Sequence, residues 1–128
     1  MSYILVVDDN QGIRRLFNEM LVEMGYQVVN TTCGEEALQQ ILLEKPRLVL
    51  LDVKMPGLGG LNTLRILSIL DYKIPIIVMS AYTESASIRQ AFSEGLITEY
   101  IEKPFDLKEV IIRIANLLEG NREGLALA

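Results

Sequence analysis

Short runs of consecutive apolar residues alternate along this chain with segments whose apolar residues recur at helical spacing. The clearest runs cover Tyr3–Val7, residues 48–51 and residues 74–79, and none of them contains a charged side chain. Runs of this kind are typical of strands that are buried on both faces of a parallel sheet. Five strand-then-helix repeats therefore predict an α/β fold, a doubly wound parallel sheet with helices on both faces and right-handed crossovers. The pattern alone leaves the strand order open.

The element boundaries follow from periodicity and from turn residues. We predict strands at 3–7, 27–31, 47–51, 74–79 and 98–101, and helices at about 10–24, 35–44, 61–70, from 83 or 84 up to Gly95, and from 107 to 118. Asp106 is a good N-cap for the last helix, and Glu109 three residues later predicts a capping box. We expect one domain over residues 1–120, with 121–128 as a C-terminal tail or a linker stub.

Composition excludes several classes of function. The formal net charge is −5 without a block of like charges, so we expect no direct contact with nucleic acid, which requires a basic patch. The chain contains no histidine, which excludes imidazole catalysis and His-ligated zinc. A lone cysteine, Cys33, fits a reducing compartment. We see no signal peptide and no apolar stretch of about 18 residues, so we expect a cytoplasmic protein without a membrane partner.

Reactive side chains follow four of the predicted strands. Asp8 and Asp9 follow the first strand, Asp52 the third, Ser80 the fourth, and Lys103 comes shortly after the fifth. The carboxyl ends of parallel strands lie at one edge of the sheet, where ligand sites of such folds cluster. Carboxylates that converge there repel one another unless a hard cation lies among them. Oxygen ligands favour Mg²⁺, or Mn²⁺, as that cation.

A metal ion beside a carboxylate, a lysine and a hydroxyl suits phosphoryl transfer. In that chemistry the protein mainly positions groups and neutralises charge on the phosphoryl oxygens. A carboxylate can itself be the nucleophile and form an aspartyl-phosphate. Asp52, which ends the unbroken apolar run at residues 48–51, is the central candidate.

Four motifs in this order resemble the receiver domain of bacterial two-component response regulators, the CheY-like family. They are Asp8-Asp9, the segment from Asp52 through Lys54, Met55 and Pro56 to Gly60, Ser80-Ala81, and Lys103-Pro104-Phe105, and the resemblance extends over about residues 3–119. Further residues, among them Gly12 to Arg14 and Asn18-Glu19, are similar to the single-domain receivers of sporulation phosphorelays. The resemblance implies a five-stranded sheet in the order 2-1-3-4-5.

The resemblance also implies roles for the acidic residues. Asp52 would be the phosphoacceptor and a metal ligand. Asp9 would bind Mg²⁺ directly and Asp8 through water, and the backbone carbonyl of Lys54 would complete the protein's ligands.

The remaining motif residues would respond to the phosphoryl group. Lys103 would pair with it, and Ser80 would donate a hydrogen bond to it. The peptide bond between Lys103 and Pro104 would be cis, and Tyr100 would be the aromatic switch residue. Two departures stand out: Ser80 occupies a position where threonine is also frequent, and Tyr100 stands where the sporulation receivers have histidine.

We therefore predict a phosphoacceptor that takes its phosphoryl group from a histidine kinase or a histidine phosphotransfer protein. The face formed by the fourth helix, the fifth strand and the fifth helix would then bind a downstream protein partner. Such a domain assists its own phosphorylation and dephosphorylation but is not a turnover enzyme.

Several alternatives stay open. The chain could be a receiver cut from a larger regulator, or a degenerate receiver that only makes protein contacts. An aspartate-nucleophile phosphatase of the haloacid-dehalogenase type needs Asp-x-Asp, whereas Asp8 is followed by Asp9 and Asn10. A flavodoxin-like carrier needs a glycine- and hydroxyl-rich phosphate loop after the first strand, and residues 10–12 do not supply it.

Overall fold

The computed structural model describes residues 2–54, 57–80 and 85–119. Strands and helices alternate along the chain: β1 (Tyr3–Val7), α1 (Gln11–Glu23), β2 (Gln27–Thr31), α2 (Gly34–Leu43), β3 (Leu48–Asp52), α3 (Gly60–Ile69), β4 (Ile76–Ser80), α4 (Ser85–Ser93), β5 (Glu99–Glu102) and α5 (Leu107–Leu118). No helix among the described residues is long and apolar enough to cross a membrane.

The five strands form one parallel sheet in the order β2-β1-β3-β4-β5. The doubly wound fold and the order that the family resemblance implied are confirmed. Every residue of β1, β3 and β4 is buried, as their unbroken apolar runs predicted. Two hydrophobic clusters flank the sheet, one under α2, α3 and α4 and the other under α1 and α5.

Three predicted strands are shifted towards the carboxyl end of the sheet. β4 starts at Ile76, because Pro75 has no amide for the ladder, although its carbonyl accepts a hydrogen bond of 2.9 Å from the amide of Val49. β3 includes Asp52 and β4 includes Ser80, and these residues pair in register with Met79 and Glu102. Both polar residues are therefore held by the sheet instead of following it.

The helix caps agree with the sequence in part. Asn10 caps α1 by accepting a 3.0 Å hydrogen bond from the amide of Ile13. Asp106 caps α5 through the amide of Lys108 at 2.9 Å, but the predicted capping box is wrong, because Glu109 pairs with Arg113 at 2.9 Å. The predicted start of the fourth helix at residue 83 or 84 and the predicted tail at 121–128 lie outside the described residues.

Candidate functional site

Asp52 ends the buried strand β3 with its carboxylate at the carboxyl edge of the sheet. The residue is only 4% exposed. Its Oδ1 accepts a hydrogen bond of 3.2 Å from the amide of Lys54 and a second, also of 3.2 Å, from the ammonium of Lys103. The apolar run places the carboxylate in a low-dielectric environment, where both charged partners and metal ions act strongly on it.

Asp8 and Asp9 follow the neighbouring strand β1 and complete an acidic cluster with Asp52. One carboxylate oxygen of each residue lies within 4.8 Å of the others. Burial raises the pKa of Asp8, and the charges of Asp52 and Asp9 raise it further, against the lowering effects of the Asn10 amide and Lys103. Closely spaced carboxylate oxygens without sulfur or imidazole are the donor set that suits Mg²⁺ or Mn²⁺. The residues present therefore fit the implied ion.

The β1–α1 turn holds Asp8 through several hydrogen bonds. The amide of Asn10 donates to Asp8 Oδ1 at 2.9 Å, and Nη1 of Arg14 donates to the Asp8 carbonyl oxygen at 2.7 Å. The Asp8 amide in turn donates to the carbonyl of Thr31 at 3.2 Å. From the sequence, Asn10 marks the start of a helix, and Arg14 stands out only as part of the segment from Gly12 to Arg14 that is similar to the sporulation receivers. A polar residue before a helical run signals the cap, but no sequence signal reveals the contact of Arg14, which depends on the path of the turn.

Lys103 reaches the cluster from the loop after β5. Its amide donates to the carbonyl of Ser80 at 2.7 Å, and its peptide bond to Pro104 is cis. Phe105 packs against Phe17 of α1 with the ring centroids 6.3 Å apart. The backbone on both sides of the lysine is thus anchored, while its side chain spans from β5 across β4 to Asp52 on β3.

Ser80 ends β4, the strand beside β3, and is 1% exposed. Its Oγ is buried and has no hydrogen-bond partner among the described residues. Leaving a buried hydroxyl unpaired typically costs about 1–3 kcal/mol. Ser80 is not among the described residues that line the cleft around Asp52, so the structure brings its hydroxyl to the same edge of the sheet but not into the cleft.

Tyr100 lies on β5, opposite Val78 of β4, and is half-buried. Its ring contacts the ring of Phe92 on α4 edge to face, with centroids 5.5 Å apart and planes at 74°. The structure thus places Tyr100 against α4 and does not bring it to the acidic cluster.

A cleft of about 580 Å³ contains most of the predicted site residues. Its lining comprises Asp8, Asp9, Asn10, Ile13, Asp52, Lys54, Lys103, Pro104 and Phe105. Met55, Pro56 and Ala81 of the sequence motifs lie outside the described residues. The cleft combines carboxylates, an ammonium group and an apolar rim, so it can hold a small anion and a hard cation side by side.

Gly60 allows the loop after Asp52 to approach the site closely. A Cβ at Gly60 would lie 2.7 Å from Cα of Val53 and 3.0 Å from the carbonyl oxygen of Asp52. The Gly60 amide donates to the Val53 carbonyl at 3.1 Å. The spacing between Asp52 and the glycine in the motif therefore has a steric reason.

Nearly the whole chain is similar in sequence to known proteins. The family of the response regulator receiver domain matches residues 4–115. The chain is 41% identical over 107 residues to sporulation initiation phosphotransferase F of Bacillus subtilis, covering 84% of this chain and 86% of that protein. It is 43% identical over 115 residues to the probable transcriptional regulator ycf27 of Cyanophora paradoxa, covering 90% of this chain but only 47% of that protein. The chain thus spans most of the first relative and about half of the second.

The solved structures to which this chain is similar include receiver domains. The receiver domain of NtrX from Brucella abortus superposes with a TM-score of 0.81 at 31% identity, covering 91% of this chain and 98% of that one. The receiver domain of the Francisella response regulator 1452 superposes with a TM-score of 0.85 at 28% identity, covering 95% and 100%.

Proposed function

This chain belongs to the response regulator receiver family, and we propose that it accepts a phosphoryl group on Asp52 within a two-component system or phosphorelay. Domains of this family are signalling domains that bind Mg²⁺ in an acidic pocket and interact with histidine kinases or phosphotransfer proteins. The observation that carries the proposal is the buried Asp52 carboxylate, which lies 3.2 Å from the Lys103 ammonium and within 4.8 Å of the other carboxylates.

In the proposed reaction, a carboxylate oxygen of Asp52 forms a bond to the phosphorus of a phosphohistidine. The phosphorus–nitrogen bond breaks, and its electron pair stays on the donor's imidazole. The chain supplies position and charge: Lys103 neutralises a phosphoryl oxygen, and the Ser80 hydroxyl donates a hydrogen bond to another. Asp8, Asp9, Asp52 and the Lys54 carbonyl would hold Mg²⁺ or Mn²⁺, which supplies further positive charge to the phosphoryl oxygens.

The signal would leave the site through β4 and β5. The Lys103 amide is bonded to the Ser80 carbonyl, so a shift of Ser80 towards the phosphoryl group moves the end of β5 as well. Tyr100 contacts Phe92 on α4, and Phe92 as a residue is 46% exposed. We propose that repacking of Tyr100 changes the α4–β5–α5 face, which binds the downstream protein partner.

The first test is incubation of the full chain with acetyl phosphate, with and without Mg²⁺, followed by intact-mass measurement. We expect one added phosphoryl group that depends on Mg²⁺ and is absent in D52N. D71N is the matched control, because it makes the same change at an exposed position and should still be modified. Modification that persists in D52N, or a wild-type chain that neither reacts nor binds Mg²⁺, would overturn the proposal.

A second candidate is a receiver module of a longer regulator. It is favoured by the curated relatives of which this chain spans only about half, such as the response regulator SaeR of Staphylococcus epidermidis at 51%. The chemistry at Asp52 would be the same. On this alternative, residues 1–120 form the receiver and 121–128 the start of a linker. We also propose that the protein is located in the cytoplasm.

A further inference from the structure

We infer that Arg14 is a positioning residue for the acidic cluster: its guanidinium fixes the backbone of Asp8 and thereby the direction of the Asp8 carboxylate. The inference rests on the proposed metal site, and it assigns a role in cation binding to a residue that is not itself a ligand.

The contact is short and partly buried. Nη1 of Arg14 lies 2.7 Å from the carbonyl oxygen of Asp8, in the range of charge-assisted hydrogen bonds. Asp8 is 1% exposed, so little water is available to replace this donor. The Asp8 amide donates to the Thr31 carbonyl and Oδ1 accepts from the Asn10 amide, so the guanidinium supplies the third hydrogen bond of this residue.

The backbone of Arg14 is fixed in the first turn of α1. Its own amide donates to the carbonyl of Asn10 at 3.1 Å within the first turn of α1. Its charge also acts on Glu36 of α2, whose carboxylate accepts hydrogen bonds from the amide of Thr32 at 2.7 Å and from its hydroxyl at 2.6 Å. These Thr32 hydrogen bonds lower the pKa of Glu36 most, and the charge of Arg14 lowers it slightly further. The charge of Arg14 therefore acts only weakly on the first turn of α2, and the hydrogen bond to Asp8 is the contact that the inference uses.

Two effects of Arg14 on a bound cation have opposite signs. As a positive charge, the guanidinium disfavours a nearby divalent cation, so charge alone predicts tighter Mg²⁺ binding when it is removed. As the group that orients Asp8, which would hold the cation through water, it favours the cation, and loss of such outer contacts typically weakens metal binding roughly 10- to 100-fold. The sign of the change therefore separates a positioning role from a purely electrostatic one.

Arg15 provides the matched control. It carries the same charge one residue further along α1, and both arginines line the same shallow surface with Asn18 and Asn30. It is exposed and makes none of the hydrogen bonds that hold Asp8 within the described part of the chain. Replacing Arg15 thus removes the charge without removing the contact.

The experiment is calorimetric titration of Mg²⁺ into the full chain as wild type, R14M and R15M, well below the unfolding midpoint of each metal-free protein. We expect R14M to bind Mg²⁺ roughly tenfold more weakly than wild type. R15M should bind as tightly as wild type or slightly more tightly. A merely structural role for Arg14 would lower the unfolding midpoint without changing the affinity of the folded protein.

The outcomes are distinguishable. If wild type binds Mg²⁺ and R14M binds it as tightly as R15M, the inference is overturned and the proposed function stands. If wild type binds no Mg²⁺, the proposed metal site is wrong, and the inference that rests on it is overturned as well. If R14M does not fold, R14K takes its place, because lysine keeps the positive charge but has a shorter side chain that ends in one nitrogen. Weaker Mg²⁺ binding by R14K supports the inference, and unchanged affinity overturns it.

Discussion

The ammonium of Lys103 lies 3.2 Å from Oδ1 of Asp52, although the two residues are 51 positions apart in the chain. The Asp52 side chain is 5% exposed and that of Lys103 is 38% exposed, so the ion pair has one buried end and one end at the mouth of the cleft. An ion pair of this kind is strengthened by the low dielectric around the carboxylate. It also means that Lys103 and a divalent cation compete for the same negative charge.

Replacing Lys103 by methionine should therefore separate metal binding from phosphoryl transfer. We expect K103M to bind Mg²⁺ more tightly than wild type, because a competing positive charge is removed. The rate of phosphorylation by acetyl phosphate should fall by roughly 100-fold, because a donor to the phosphoryl oxygens is lost. Calorimetry and time-resolved intact mass give the two quantities. K73M, at an exposed lysine near the opposite edge of the sheet, should change neither the Mg²⁺ affinity nor the phosphorylation rate. Weaker Mg²⁺ binding by K103M would contradict the argument.

Ser80 and Thr63 are both buried hydroxyl residues but differ in their partners. Oγ1 of Thr63 donates to the carbonyl of Gly59 at 2.9 Å, whereas no partner of Ser80 Oγ lies among the described residues. We expect T63V to lower the free energy of unfolding by about 1 kcal/mol and S80A to leave it unchanged or raise it. Denaturant unfolding of the unphosphorylated proteins measures both. A clear loss of stability in S80A would show that the hydroxyl is already satisfied in solution.

The same S80A variant tests the proposed switch. After treatment with acetyl phosphate, hydrogen exchange in β4, β5 and α4 should change in wild type and much less in S80A, because the hydroxyl that follows the phosphoryl group is missing. T63V should respond as wild type does. An equal response in S80A would remove Ser80 from the route of the signal.

Gly60 should be intolerant of a side chain. G60A would place its Cβ 2.7 Å from Cα of Val53, and backbone cannot rotate away as a flexible side chain can. We expect the free energy of unfolding to fall by about 1–3 kcal/mol and phosphorylation to slow, because the strain falls on the residue beside Asp52. In G12A the nearest atom to the new Cβ is Oδ1 of Asn10 at 3.3 Å, so this control should stay within about 1 kcal/mol of wild type. Equal behaviour of the two variants would contradict the steric argument.

We expect Tyr26, which lies far from the site, to make the stability of the fold depend on pH. Its hydroxyl donates to Glu119 at 3.1 Å, and burial first, then this hydrogen bond and the charge of Glu119, raise its pKa, against the lowering effect of Arg47. A raised pKa in the folded state means that the stabilisation is complete below the unfolded pKa of about 10 and is lost as the pH rises through the higher folded value.

Y26F should therefore lose less stability than wild type when the pH is raised above about 10. Urea unfolding at neutral and alkaline pH gives the comparison. Y72F, at another half-buried tyrosine, is the control and should follow wild type. Parallel loss of stability in Y26F and wild type would show that Tyr26 does not contribute to the alkaline transition.

Much of the fold was predictable because burial leaves a local trace in the sequence. The apolar runs identified β1, β3 and β4 as interior strands, and helical spacing identified the helices that cover them. Errors arose where local patterns compete. Pro75 lies in an apolar run but cannot join the ladder as a donor, and Glu109 at a capping-box position pairs with Arg113 one turn later instead.

The sequence by itself determined which residues could carry the chemistry, because carboxylates, a hydroxyl and a lysine stand at or just beyond the carboxyl ends of four strands, the edge where ligand sites of such folds cluster. Only the tertiary structure decided which atoms meet. The 3.2 Å contact between Lys103 and Asp52 depends on the order and register of β3, β4 and β5, and the 2.7 Å contact between Arg14 and Asp8 depends on the path of one turn. Hydrophobic periodicity reports whether a position is buried, but it carries no information on the direction or distance at which two distant positions face each other. That information arises when the strands pair and the helices pack on the sheet.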